Sequence, residues 1–352
     1  MKIFISTSYL LLFLTIYSYG QKKDTNVLTE AELLEEVEFI EKLSYDLTSE
    51  IFEKKSDDST IDKEYKLPWN NLLYTEAQLK TALDTLAKNA VIKIKEGFFS
   101  NHVLEFKSSF PEFIDEGLID IFELSVTAST IQDGKATLQI SKDGSSGFGS
   151  LSTSGTKDGK SYSHLWRTIN KSFDIKTEIK TNNQKGTVVF ESGFINGYDY
   201  LNITSSDIGK EIKIGEYTFT IIDILENAIV IDFNTNIEGI DFSVINIDKE
   251  GYRITWPDIS YSSQTLSKDI YLMFKEKPNL SFEDYKKAVH HKFLKIAKSD
   301  QKVKETENVF GKKYHIFSFP GKLTNLFLYT PKYISKSFEI KYPDNDNQSV
   351  TN

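Results

Sequence analysis

Two arginines, three tryptophans and five histidines are the scarce side chains from which this 352-residue sequence could build a site. Its 42 basic residues include only Arg167 and Arg253; all the others are lysines. Each arginine lies near a tryptophan, in Trp166-Arg167 and with Arg253 three residues before Trp256. A planar guanidinium can stack on an aromatic face or grip a carboxylate with two parallel hydrogen bonds, which an ammonium cannot do. Tyr252 and Tyr261 add aromatic surface to the second cluster. Trp166, Arg167, Arg253, Trp256 and Tyr261 are therefore the candidate ligand-binding residues. The competing reading is structural, with each arginine covering a core tryptophan at a sheet edge. Strand alternation favours that reading for the second cluster: Tyr252, Ile254 and Trp256 share one face and Arg253 takes the other. It predicts a core tryptophan and an exposed arginine.

Other chemistries find less support. Of the histidines (His102, His164, His290, His291 and His315), only His290 and His291 are close in sequence. Adjacent helical residues point about 100° apart, so this pair does not converge on one ion. Neither H-E-x-x-H nor G-x-S-x-G occurs, which removes the usual zinc-protease and serine-elbow signatures. Residues 155–161 (Gly155-Thr156-Lys157-Asp158-Gly159-Lys160-Ser161) resemble a phosphate-binding loop, but Ser154 stands where its first glycine is required. The Gly/Ser-rich stretch 144–161 is expected to be a loop with tight Asp-Gly turns. Asp232-Phe233-Asn234-Thr235-Asn236 alternates oxygens as a calcium loop does, yet Ile237 and Ser243 replace the needed Gly and Glu. No metal and no cofactor are expected.

Composition narrows the function classes. There is no cysteine, so disulfides, zinc-cysteine and iron–sulfur sites, a thiol nucleophile and a lipobox anchor are excluded. A net charge of -9 argues against a nucleic-acid partner, which is held by concentrated positive charge. Lys2, the uncharged apolar run 3–16 and the small residues Ser18 and Gly20 have the pattern of a secretory signal cut before Gln21. That run is shorter than the roughly 20 residues of a bilayer span. The expectation is an exported protein, periplasmic, cell-surface or secreted, with no membrane span after signal cleavage.

The elements that must position these residues follow from periodicity. Thr29 with Glu32 and Thr75 with Gln78 are capping boxes. Leu33, Val37, Ile40, Leu43, Leu47 and Ile51 form a stripe at helical spacing behind the first. After about residue 90 the period changes to 2. Runs at 91–95, 122–128, 136–140, 173–179, 187–190, 212–214, 217–224, 228–233, 242–247, 252–256, 315–319, 326–329 and 337–340, several of them alternating, read as short strands. Asp133-Gly134 and Asn196-Gly197 read as turns, and 173–179 is expected to pair with 187–190. Ser281 and Asp284 open one late helix, near 282–298.

The fold class is mainly β with helical additions (α+β), built of antiparallel β-sandwich-like, immunoglobulin-like domains. The expected divisions are 1–20 signal peptide, 21–89 N-terminal helical region, 90–195 β-sandwich-like domain, 196–342 second β domain with an inserted helix, and 343–352 disordered tail. The function read from this is a non-catalytic, exported binding or envelope-structural protein with a protein or glycan partner. The alternative is a carbohydrate- or peptidoglycan-active hydrolase using a carboxylate pair. A protruding interaction loop at 144–161, as in an inhibitor, is a third possibility.

Overall fold

A computed structural model describes residues 29–53, 59–97, 101–115, 117, 120–181, 183–233, 242–256, 261–299 and 309–343. The expected signal segment, residues 234–241 of the calcium-like loop, and the tail beyond Pro343 lie outside the described residues.

Among the described residues, four helices with full bounds form where caps or apolar stripes demand them. Helix α1 (Glu30–Phe52) and helix α2 (Glu76–Lys88) both open on the expected capping boxes. Thr29 N donates to Glu32 Oε2 at 2.9 Å and Thr75 N to Gln78 Oε1 at 2.9 Å, satisfying amides that have no helical acceptor. Helix α3 (Lys268–Glu276) follows directly on a strand, and helix α4 (Phe282–Ala297) is capped by Ser281. The remaining elements are mostly strands, and their ladders are antiparallel.

The described chain divides into two compact units. One holds the residues up to Leu67 together with Asp199–Thr330; the other holds Pro68–Tyr198 together with the residues from Pro331. The chain passes from one to the other at Leu67–Pro68 and inside the long strands Gly186–Ile203 and Asn325–Tyr342.

The first unit is a layered structure around a five-stranded sheet, in the order Glu211–Ile214, Tyr217–Ile224, Ala228–Phe233, Lys313–Ser318, Ser262–Ser267. Its central strand, AIVIDF, is buried at every residue, as a strand covered on both faces must be. Ala228 and Val230 pack against Ile270, Tyr271, Phe274, Tyr285 and Val289 of α3 and α4. Ile229, Ile231 and Phe233 pack on the other side against Val244, Leu326 and Leu328. Helix α1 buries a more polar stripe than its leucines suggest: Glu41, Ser44 and Thr48 are fully buried, while Leu33, Leu43 and Leu47 are half-buried. Ser44 Oγ is 2.8 Å from the hydroxyl of Tyr285, and Thr48 donates to the Ser44 carbonyl at 2.7 Å. These bonds let polar groups occupy the buried face.

The second unit is a sandwich. A four-stranded sheet runs in the order Val91–Glu96, His102–Ser109, Lys160–Ile175, Ser145–Lys157. Leu104, Phe106, Ile169 and Phe173 from it meet Leu124, Val126, Phe190 and Phe194 from the facing strands Phe122–Ser129 and Gly186–Ile203. Leu79, Leu83 and Leu86 of α2 join the same core.

Several local expectations are corrected. Residues 173–175 pair with His102–Ser109, and Thr187 through Phe190 belong to a ladder with Phe122–Ser129. Asn196-Gly197 is interior to the strand Gly186–Ile203 and makes no turn. The Asp133-Gly134 turn joins only two-residue strands. The runs 326–329 and 337–340 are parts of one strand, Asn325–Tyr342. Helix α3 escaped the sequence pattern because it is nine residues long and its N-cap, Ser267, makes no side-chain cap bond. The stretch 144–161 is not a loop: strand Ser145–Lys157, a turn and the start of Lys160–Ile175 occupy it.

Candidate binding surface

That last stretch carries exposed apolar side chains, Leu151 and Tyr162 among them. Asp158 and Gly159 adopt φ of 52° and 74°, the left-handed pair that a two-residue hairpin turn requires. Pairing then runs from Lys157 opposite Lys160 back to Ser145 opposite Ser172. The neighbouring strand His102–Ser109 covers only residues 168–175. Residues 150–157 and 160–167 therefore continue past it as a two-stranded ribbon. Its base is held by Phe110 N donating to the Arg167 carbonyl at 2.9 Å and by His164 Nδ1 at 2.5 Å from Glu112 Oε1. Serine, threonine and glycine look like loop residues, but a ladder uses the backbone and a compatible turn.

Alternation puts Tyr162, His164 and Trp166 on one face of the ribbon. Their ring centroids are 5.4 Å and 5.8 Å apart, the His164–Trp166 pair stacked at 22°. Leu151, Thr153 and Gly155 stand opposite Trp166, His164 and Tyr162 respectively. The Tyr162 ring lies across Gly155, where a Cβ would come within 2.8 Å of its hydroxyl oxygen. Leu151 is 60% exposed and Tyr162 39%. Thr168 and Asn170 extend the same face, and Asn170 Nδ2 donates to Glu105 Oε1 at 3.3 Å. Burial pushes the Glu105 carboxyl up, but Lys95 at 2.7 Å and Lys107 at 3.3 Å outweigh it and hold the group below its ordinary value. Arg167 takes the opposite face from Trp166, and its charge acts on Asp115 and Tyr74. These two are themselves joined by a 2.6 Å hydrogen bond from the tyrosine hydroxyl.

Arg253, Trp256 and Tyr261 fall in the first unit. Arg253 Nη2 donates to Asp62 Oδ2 at 2.5 Å, and its guanidinium carbon sits 3.9 Å from the centre of the Tyr65 ring. One residue positions both partners. Asp62 stands opposite Arg253 in the ladder of strand Thr60–Asp62, and its Oδ1 accepts from the amides of Glu64 and Tyr65 at 3.1 Å each. That side-chain turn folds Tyr65 back over the guanidinium. The Tyr65 side chain bonds Tyr329, whose hydroxyl is pushed up chiefly by burial; Tyr329 bonds Ser243, which also bonds Tyr261. The expectation of an exposed arginine and a core tryptophan is corrected: Arg253 and Asp62 side chains are 25% and 27% exposed, and Trp256 is half-buried. The strand Arg253–Thr255 is only three residues long, too short to carry the alternation to Trp256. The guanidinium's stacking and ion-pairing abilities are both engaged, within the chain.

Two histidines also have defined surroundings. His290 Nδ1 lies 2.8 Å from Glu41 Oε1 between α4 and α1. Burial pushes the Glu41 carboxyl up, against the pull of His290 and Lys286. His315 is pulled down to about 4 by burial, helped by Lys313 and opposed by Asp232. Among the described residues no group of three or more His, Asp or Glu side chains could hold a metal ion, and no helix is long and apolar enough to cross a membrane. Of the residues expected from the sequence, Trp166 lies in this row; Tyr162, His164 and Leu151 beside it were not singled out, although the i, i+2, i+4 spacing of the aromatic residues was available as a signal. No protein-family profile matches this chain, and no curated protein matches its sequence.

Proposed function

We propose that this chain is an exported, non-catalytic binding protein of immunoglobulin-like sandwich domains, and that the outer face of its projecting ribbon holds a glycan. The observation that carries this reading is the row Tyr162, His164, Trp166 on a ribbon with solvent on its outer face. Aromatic faces receive the apolar faces of sugar rings, and the polar Thr168 and Asn170 continue the row with hydroxyl and amide groups. Export follows from the signal-like start of the sequence. The alternative of a carboxylate-pair hydrolase draws support only from Glu41, the one carboxyl among the described groups that is raised. Its hydrogen-bond partner is a histidine, where a glycosidase pair would supply a second carboxylate.

The test is a thermal-shift screen with oligosaccharides and peptidoglycan fragments. A ligand at a hundred times its dissociation constant adds about 2.7 kcal/mol to the folded state and raises the midpoint. A rise with a glycan supports the reading. A flat panel argues against a glycan and turns the search to a protein partner.

A further inference from the structure

We infer that a second copy of this chain pairs with the first along the open edge of strand Ser145–Lys157, about a two-fold axis at Leu151. Among the described residues this strand pairs with Lys160–Ile175 alone and ends its sheet. Natural sheets block such edges with charge, proline or a bulge. Residues 145–156 contain neither charge nor proline, and the register is unbroken over all thirteen pairs. A two-stranded ribbon is marginal in water by itself, so this one is a surface that gains by being covered.

The geometry selects the occupant. Because the Arg167 carbonyl accepts from Phe110, odd residues of its strand bond toward 102–109 and even residues toward 145–157. Leu151, Thr153 and Gly155, opposite even residues, thus direct their backbone groups inward. The amides of Ser146, Phe148, Ser150, Ser152, Ser154 and Thr156 then point to the open edge.

Leu151 is the midpoint of Ser145–Lys157. An antiparallel copy centred there sets Ser150 against Ser152, Phe148 against Ser154 and Ser146 against Thr156. Every one of these is a pair of outward-facing residues, so the hydrogen-bonding parity is right. On the other parity the one large apolar side chain, the exposed Leu151, meets its own copy. Gly149 meets Thr153 and Gly147 meets Gly155, so nothing clashes. At the ends Ser145 meets Lys157 of the copy. A peptide of unrelated sequence would satisfy the backbone but not this symmetric side-chain match. The two aromatic rows would then lie on one continuous sheet, a bivalent surface for a repeating ligand.

The chain has no cysteine, so a single introduced thiol reads the register. Leu151→Cys should cross-link into a covalent dimer under mild oxidation, because opposed residues at a non-hydrogen-bonded pair have Cα atoms about 4.5 Å apart, inside the disulfide range. Thr153→Cys should stay uncross-linked, its copy lying about 13 Å along the strands. In sedimentation the unmodified chain should approach twice its monomer mass as concentration rises, and Ser152→Pro, which removes one outward amide, should remain a monomer. A monomer at all concentrations, or equal cross-linking by both cysteine variants, overturns the inference. Glycan binding by a monomer would leave the proposed function standing without it.

Discussion

Replacing Arg253 with lysine tests whether the guanidinium is held for its shape. Lysine keeps the positive charge and can still reach Asp62, so the ion pair survives in part. It loses the planar stack on Tyr65, whose ring centre is 3.9 Å from the guanidinium carbon. It also loses the fork that aims Nη2 at Asp62 Oδ2. A cation–aromatic contact at a half-buried site contributes about 0.5–2 kcal/mol, and a weakened charge-assisted bond adds a fraction of the 1.5–3 kcal/mol such bonds bring. Arg253→Lys should therefore destabilise by about 1–2 kcal/mol. Urea denaturation monitored by far-ultraviolet dichroism should show a lower midpoint with an unchanged slope. Combining Arg253→Lys with Tyr65→Leu in a double-mutant cycle isolates the stack, with an expected coupling of about 1 kcal/mol. A coupling within about 0.3 kcal/mol of zero would show that the ring and guanidinium are neighbours without energetic consequence, and the argument from shape would be wrong.

The same site has a pH signature. The hydrogen bond from Arg253 holds the Asp62 carboxyl below its ordinary value of 3.8. The carboxylate thus adds stability that is present above 3.8 and is lost as pH falls through the lowered folded value. Asp62→Asn should remove that part of the acid transition, visible as a flatter stability profile below about pH 4, whereas an unchanged profile would dissociate the pair from acid stability. In the second unit's core, Phe190 is fully buried and its ring lies 5.0 Å from Phe106 and 5.7 Å from Phe338. Phe190→Ala should destabilise by about 3–5 kcal/mol in the same urea experiment, and a loss under 1 kcal/mol would contradict the packing described. Gly155→Val forces the Tyr162 ring off the strand it now covers. Nitration of Tyr162 by tetranitromethane, read by peptide mass, should speed up, and an unchanged rate would mean that the ring does not rest there.

The caps were legible in the sequence because their bonds span three residues: Thr29 with Glu32, Thr75 with Gln78, Ser281 with Asp284. The central strand Ala228–Phe233 was legible because double burial writes a continuous apolar run. Strand partners were not, since many short alternating runs match one another equally well and register depends on what each face must cover. The sequence partition into contiguous stretches follows chain order, while the two units group residues by packing and assign α1 and α2 to different units. At the arginine cluster the aromatic and planar character of the site was readable. Its acid was not, because Asp62 lies 191 residues before Arg253. The leucines of α1 misled for a related reason: Tyr285 supplies the bond that lets Ser44 be buried in their place.

The proposed binding face is the ribbon row Tyr162, His164 and Trp166. It is tested most directly by titrating glycan ligands from the screen, in a calorimeter, into the unmodified chain and into Tyr162→Ser/Trp166→Ser. Both side chains are partly solvent-exposed, so the variant should keep its fold and its dichroism spectrum. Saturable binding to the unmodified chain and an affinity at least about tenfold weaker in the variant, equivalent to about 1.4 kcal/mol, are expected. Equal affinity for both chains would place the ligand elsewhere and contradict the claim.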